Sequence, residues 1–163
     1  MLRGQTPNQV IGTGTNDNAA AGIVGEFITT TVAVGSAITL FTVTVSNIAT
    51  ITLTSGDWDV SAVIDFNLTG ATATDFRGGP SLTINVLPTQ PGGTTGNGTL
   101  GTDALIINPS NFITITDLLT LIIPPVRVQV SSAGTAQVFL SVQPTFSVGS
   151  MTGFGTIRAR RMR

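Results

Sequence analysis

From Phe27 onward the chain alternates apolar and polar residues with a period of two. The segments "FITTTV" (27–32), "AITLFTVTV" (37–45) and "IATITLT" (48–54) are rich in Thr, Ile and Val. Their branched Cβ atoms are stiff at χ1 and fit a pleated surface. Gly35-Ser36 and Ser46-Asn47 separate these segments as turns, and each segment has the length of a strand rather than a helix. After a further turn at Ser55-Gly56, Trp58, Val60, Ala62, Ile64 and Phe66 alternate with Asp57, Asp59, Ser61, Val63 and Asp65. Side chains alternate across a strand, so the first set is expected to line a core and the second to face away from it.

Residues 69–80, "TGATATDFRGGP", read as a polar turn region, followed by a strand "SLTINVL" (81–87) and a long Gly- and Pro-dense loop (88–103). Leu118–Ile123 suits one helical turn or a strand, and Pro124-Pro125 would stop a helix. Val126, Val128 and Val130 alternate with Arg127 and Gln129, and Ala136 to Gln143 alternate in the same way. A last strand runs from Met151 to Ala159. About eight short antiparallel strands with turn signals between them predict an all-β fold, a β-sandwich of jelly-roll-like order. Residues 1–25 are Gly, Asn and Thr rich, too poor in large apolar groups to offset their own ordering entropy. They are expected to form an extended N-terminal arm for docking and assembly, with Val10, Ile11, Ile23 and Val24 as its anchors. The β-sandwich domain is expected at 26–163.

Composition sharpens this picture. A chain of 163 residues suits one domain with a sizeable core. Charged residues make up only 9%, against about 25% in typical soluble domains, so the polar surface is built from Thr, Ser, Asn, Gln and Gly. Such a surface suits packing against copies of itself. Cysteine and histidine are absent, which removes disulfides, thiolate metal sites and the side chain most used for acid–base work. No cofactor is expected.

Net charge is −1 but unevenly spread: residues 1–150 carry three arginines against eight acids, and the last thirteen carry four arginines and no acid. Arg158, Arg160, Arg161 and Arg163 are expected to meet carboxylates or backbone carbonyls of an adjoining subunit, where a planar guanidinium is the better partner. No aromatic residues interleave with them to stack bases, so nucleic acid is not the expected partner. The longest apolar cluster, around Leu118–Ile123, is too short to span a bilayer. "MLRGQTPNQV" lacks the apolar stretch of a secretion signal, and synthesis in a cytoplasm is expected.

Two candidate sites compete with bland readings. Asp57 and Asp59 lie two apart on one strand face, so their carboxylates could sit about 6–7 Å apart, and paired carboxylates are the hardware of glycoside hydrolysis. That chemistry needs one carboxyl with a raised pKa, whereas an outward pair stays ionised in water; the polar-face reading is the stronger. Calcium would find oxygen ligands there but not the regular loop spacing. Asp17 with Asn16 and Asn18 reads first as a turn. The glycines of 12–16 and 93–98 lack the Lys-Ser/Thr of a phosphate loop.

Three stretches, "TNDNAAAGIVGEFI", "ITLTSGDWDVSAVIDF" and "GFGTIRARRMR", taken in this order, resemble a group of small tailed-bacteriophage proteins. Related segments occur there as stand-alone virion proteins and as terminal domains of longer fibres. The likeness runs from Asn16 to Arg163 but is dense only in these blocks, and residues 67–125 do not share it. The resemblance implies a trimeric particle component of the fibre, spike or decoration kind, with itself and other virion proteins as partners. Three readings follow: a structural subunit, a receptor-binding tip whose loop 88–103 grips a host-surface glycan, and a depolymerase using Asp57 and Asp59. The first is the expected one.

Overall fold

Alternation becomes strand almost throughout. The computed structural model describes residues 18–88, 94–95, 98–100, 106–113 and 118–163. The elements are β1 (Phe27–Val32), a 3-10 turn (Val34–Ser36), β2 (Ile38–Leu40), β3 (Ser46–Thr69) and β4 (Thr72–Ser81). These are followed by β5 (Thr94–Thr95), β6 (Gly98–Leu100), β7 (Ile106–Ile113), β8 (Leu118–Ser147) and β9 (Ser150–Arg161). No α-helix occurs among the described residues. The strands pair antiparallel in the order β1-β9-β3-β8-β4-β7, with β2 also on β9, β6 on β8 and β5 on β6.

The all-β class is the one the sequence predicts. The finer expectation was two sheets in jelly-roll order, whereas the hydrogen bonding runs through one nine-stranded sheet. This sheet bends so that parts of its inner face meet. The Phe66 ring of β3 lies 4.7 Å from the Phe76 ring of β4, although β3 and β4 are not hydrogen-bonded neighbours. Gly78 of β4 is small where Ile64 of β3 presses on it. One core cluster results, holding Leu53, Trp58, Val60, Ile64, Phe66, Phe76 and Val128 at its centre with Leu140, Val142 and Ile157 around them.

Two very long strands carry the sheet, β3 with 24 residues and β8 with 30. Their pairing shifts register between Asn47 and Ala49, between Thr54 and Gly56, and between Val60 and Ala62, and such bulges bend a strand without ending it. Ser55-Gly56, expected as a turn between two strands, is therefore an irregularity inside one. Opposite the last shift, Val60 pairs with Val126 and Ala62 with Ile123, so Pro124 and Pro125 fall in the bulge, where no N–H is demanded of them. Leu118–Ile123 is accordingly strand, and β8 runs through the proline pair.

Other boundaries moved for local reasons. The expected turn region 69–80 is mostly β4, in which Ala73, Phe76, Gly78 and Pro80 are buried. The expected strand 81–87 leaves the sheet after Ser81, and Asn85 at φ 55° hydrogen-bonds Asn47 instead. Of 37–45 only Ile38–Leu40 pairs, and Val43 takes φ 57° with its N–H donating to the Pro144 carbonyl at 2.8 Å. In loop 88–103 the described residues are Pro88, Thr94–Thr95 and Gly98–Leu100; the other residues on which a glycan-gripping loop was expected lie outside the described ones.

Val10 and Ile11 also lie outside the described residues. Ile23 and Val24 are exposed, 58% and 57%. The segment that holds them is tied to the body: Asn18 donates to the Phe27 carbonyl at 2.7 Å and accepts from the Phe27 N–H at 2.8 Å, and Gly25 N–H donates to the Arg161 carbonyl.

Candidate functional site

The charged groups concentrate where β1 begins, β9 ends and β3 passes its Thr54–Gly56 bulge. Alternation along β9 puts Ile157 and Ala159 inward, Arg158 and Arg160 outward, and Arg161 inward again. Arg161 is 4% exposed, and its guanidinium carbon sits 4.2 Å over the Trp58 ring. Such a cation over an indole face is attracted by the ring quadrupole, more so when both are desolvated. Nε donates to Glu26 Oε2 at 2.9 Å, Nη2 to Thr54 Oγ1 at 2.5 Å, and Nη1 to the Ser55 carbonyl. Glu26 Oε2 also accepts the Gly22 N–H, and Trp58 Nε1 donates to the Thr54 carbonyl. Gly56 is required beside this guanidinium: its φ is +137°, and a Cβ there would collide with Arg161 Nη1 and the Arg163 carbonyl.

This corrects one expectation. Arg161 was assigned to an adjoining subunit together with Arg158, Arg160 and Arg163, yet every acceptor it uses belongs to its own chain. The reason is parity, since a residue two past Ala159 must face the core with it.

The outer face of the same strands carries the second cluster. Asp57 is only 7% exposed at its side chain. Its Oδ2 accepts from Arg127 Nη2 at 2.9 Å and from Arg163 Nε, while Oδ1 is buried with no hydrogen-bond partner among the described residues. The Arg127 hydrogen bond pulls the Asp57 pKa below its ordinary value; burial opposes this, and Arg163 adds to the lowering. The expectation that Asp57 faces away from the core holds for its strand face. Its carboxylate, however, is covered by two arginines instead of being bathed in water. A general acid needs the opposite shift, so the geometry gives the Asp57/Asp59 pair no proton donor at Asp57.

Asp59 stands one step along, opposite Arg127 on β8 and Arg160 on β9. Among the described residues neither Asp59 nor Arg160 makes an ion pair. Arg158 Nε donates to Ser61 Oγ at 3.0 Å. Two open clefts flank Asp59. One of about 370 Å³ is lined by Asp57, Arg127, Met162 and Arg163, and one of about 330 Å³ by Phe27, Ser61, Arg158 and Arg160. No group of three or more acidic, His or Cys side chains that could hold a metal occurs among the described residues.

Sequence reasoning singled out Arg158, Arg160, Arg161 and Arg163 but not Glu26 or Arg127. The inward Arg161 was legible from the alternation of 157–161. Nothing in the sequence pairs Glu26 with Arg161, 135 positions away, or brings Arg127 to Asp57 across two strands. No helix among the described residues is long and apolar enough to cross a membrane. No protein-family model, curated protein or solved structure matches the chain.

Proposed function

We propose that the chain is a structural subunit of a tailed-bacteriophage particle, of the fibre, spike or capsid-decoration kind. In this reading it is made in the host cytoplasm, assembles with copies of itself as a trimer, and docks on other virion proteins through residues 1–25. The observation that supports it most is the meeting of the three stretches that carry the resemblance. The end of the first opens β1, the second lies in β3 and the third is the end of β9, and these are adjacent strands. Glu26 from the first, Thr54 and Trp58 from the second and Arg161 from the third close on one another. A set of separated sequence blocks that builds one structural lock, with no reactive group at its centre, suits a part selected for shape and assembly. The low charge and the Thr-rich outward faces suit the same role.

The test is to measure the mass of the purified protein in solution and to look for the chain in purified particles by mass spectrometry and imaging. An oligomer present in virions is the expected result. A monomer absent from virions overturns the proposal.

A further inference from the structure

β1 lies at an edge of the sheet, paired with β9 on one side and with no described strand on the other. A bulge at its start sets which backbone groups point to the open edge. Gly25, at φ +93°, donates its N–H to the Arg161 carbonyl, and Arg161 N–H donates to the Glu26 carbonyl. Antiparallel pairs alternate from there: the groups of Ile28, Thr30 and Val32 turn toward β9, and those of Phe27, Thr29 and Thr31 turn away from it. Asn18 marks the same phase, because its side-chain amide takes both edge groups of Phe27, at 2.7 and 2.8 Å. Thr29 and Thr31 are left with two N–H and two C=O groups that have no partner among the described residues. Their hydroxyls do not cover these groups, since Thr29 Oγ1 donates to the Ile157 carbonyl and Thr31 Oγ1 shares a hydrogen bond with Thr156 Oγ1. Natural edge strands are guarded by charges, proline or bulges. Residues 27–32 hold no charge and no proline, and no charged residue occurs between Glu26 and Asp57.

We propose that this edge pairs antiparallel with the same edge of a second copy of the chain, about a two-fold axis at Thr30. The edge is its own complement. Setting Thr29 against the partner's Thr31, and Thr31 against the partner's Thr29, makes two hydrogen-bonded pairs that use every free edge group of both copies. The neighbouring registers are blocked. Centring the axis on Thr29 puts Thr31 against the partner's Phe27, whose edge groups Asn18 holds. Centring it on Thr31 puts Thr29 against the partner's Ala33, whose carbonyl accepts the Ser36 N–H. Side chains agree with the open register. Ile28 meets the partner's Val32, and both are partly buried against the core; like Thr–Thr pairs, such cross-strand neighbours stabilise a sheet. Exposed apolar residues also flank both ends of β1: Ile23, Val24 and Phe27 at its start, Val34 and Ile38 past its end, between 37% and 60% exposed. Antiparallel pairing brings the first set of one copy beside the second set of the other. An unrelated strand would satisfy the hydrogen bonds alone; the two blocked registers and the matching flanks select a second copy. The contact is isologous, so it goes beyond the trimer proposed above and does not rest on it. Alone it makes dimers, and with a three-fold contact it joins two trimers.

The experiment uses the full chain as wild type, T31P and T29K/T31K, with mass followed by light scattering and native mass spectrometry across a dilution series. Thr31→Pro removes an N–H that points to the open edge, where a sheet tolerates proline, and lysine is a guard that natural edges carry. The wild type is expected to hold an even number of copies, with the Thr29 and Thr31 amides protected from hydrogen exchange. Its dissociation constant should rise about tenfold or more in each variant, as the loss of paired backbone hydrogen bonds requires. Raising NaCl from roughly 50 to 500 mM should not loosen it, because no charge takes part. The near-ultraviolet spectrum of Trp58 reports whether each variant is folded, and wild-type amide exchange decides the matter where a variant is not. A wild type that is monomeric or holds an odd number of copies overturns the inference. So do Thr29 and Thr31 amides that exchange freely in the oligomer or stay protected in a monomer, folded variants that assemble as the wild type does, and an oligomer that salt dissociates. An even-numbered, edge-dependent oligomer absent from virions would uphold this contact while removing the phage assignment. Trimers present in virions and untouched by both variants would do the reverse.

Discussion

Arg160 and Arg161 are neighbours on one strand and live in opposite worlds. Arg161 is sealed over Trp58, its nitrogens donating to Glu26, Thr54 and Ser55; Arg160 faces solvent with no ion pair among the described residues. Across the sheet, Trp58 is fully buried while Asp57 and Asp59 on either side of it face the arginines of the outer layer. The same residue type therefore serves as a structural lock on one face and as an available contact on the other. Strand parity, not residue chemistry, decides which. Clusters of like charge in a β-protein are best read two residues at a time.

The inner face should be the harder to perturb. Trp58→Ala removes a fully buried ring, its hydrogen bond to the Thr54 carbonyl and the platform beneath Arg161. A loss of about 3–5 kcal/mol is expected for a large aromatic-to-alanine change, measured by urea unfolding. A loss under about 1 kcal/mol would show that the lock is not part of the cooperative core. Glu26→Gln comes next, because it leaves the Arg161 charge buried and uncompensated. Its expected effect is about 3 kcal/mol, at the lower end for breaking a buried pair, since the Thr54 and Ser55 acceptors remain. A double-mutant cycle with Arg161→Met should return a coupling above about 1 kcal/mol, and additive losses would break the claim that the two act together.

Asp57 lies between these extremes, buried on the outer face. Its folded-state pKa lies below the ordinary 3.8, through the Arg127 hydrogen bond first. The folded protein thus keeps this carboxylate ionised where the unfolded chain already takes up a proton. The stability so contributed is full above the unfolded pKa and is lost as pH falls through the folded one. Asp57→Asn should therefore be less stable than the wild type near neutral pH, by less than Glu26→Gln, and the two should converge as pH is lowered beneath 3.8. Urea midpoints measured as a pH series check this; a gap that stays constant into acid would mean that Asp57 matters for shape and not for charge.

The class of the fold was legible because alternation survives any arrangement of the strands. Trp58, Val60, Ala62, Ile64 and Phe66 are all buried, as their parity requires. What alternation cannot show is where a strand bends without ending. Ser55-Gly56 and Pro124-Pro125 carry the composition of turns, yet both sit at register shifts of continuous strands. Residues 72–81 look too small and too polar for a core strand, and Gly78 is small because the inner face of β3 presses against it. At the candidate site the outward arginines were readable from the tail itself. The acids that answer Arg161 and Arg163 were not, because nothing local links Glu26 or Asp57 to a strand more than 100 positions later.

The smallest effect on stability is expected at the outermost groups. Arg158→Ala gives up one hydrogen bond to Ser61 Oγ, and Arg160→Ala gives up no ion pair among the described residues. Each should shift the folding free energy by no more than about 0.5 kcal/mol, as surface substitutions away from buried features do. Measured under conditions that keep the protein monomeric, a larger loss from Arg160→Ala would mean that the outer row also helps to hold β9 on β3. The division between locked and available arginines would then fail at that position. A near-zero loss, set beside the large one expected for Glu26→Gln, would leave Arg160 free to be shaped by contacts outside its own fold, which is what a docking residue requires.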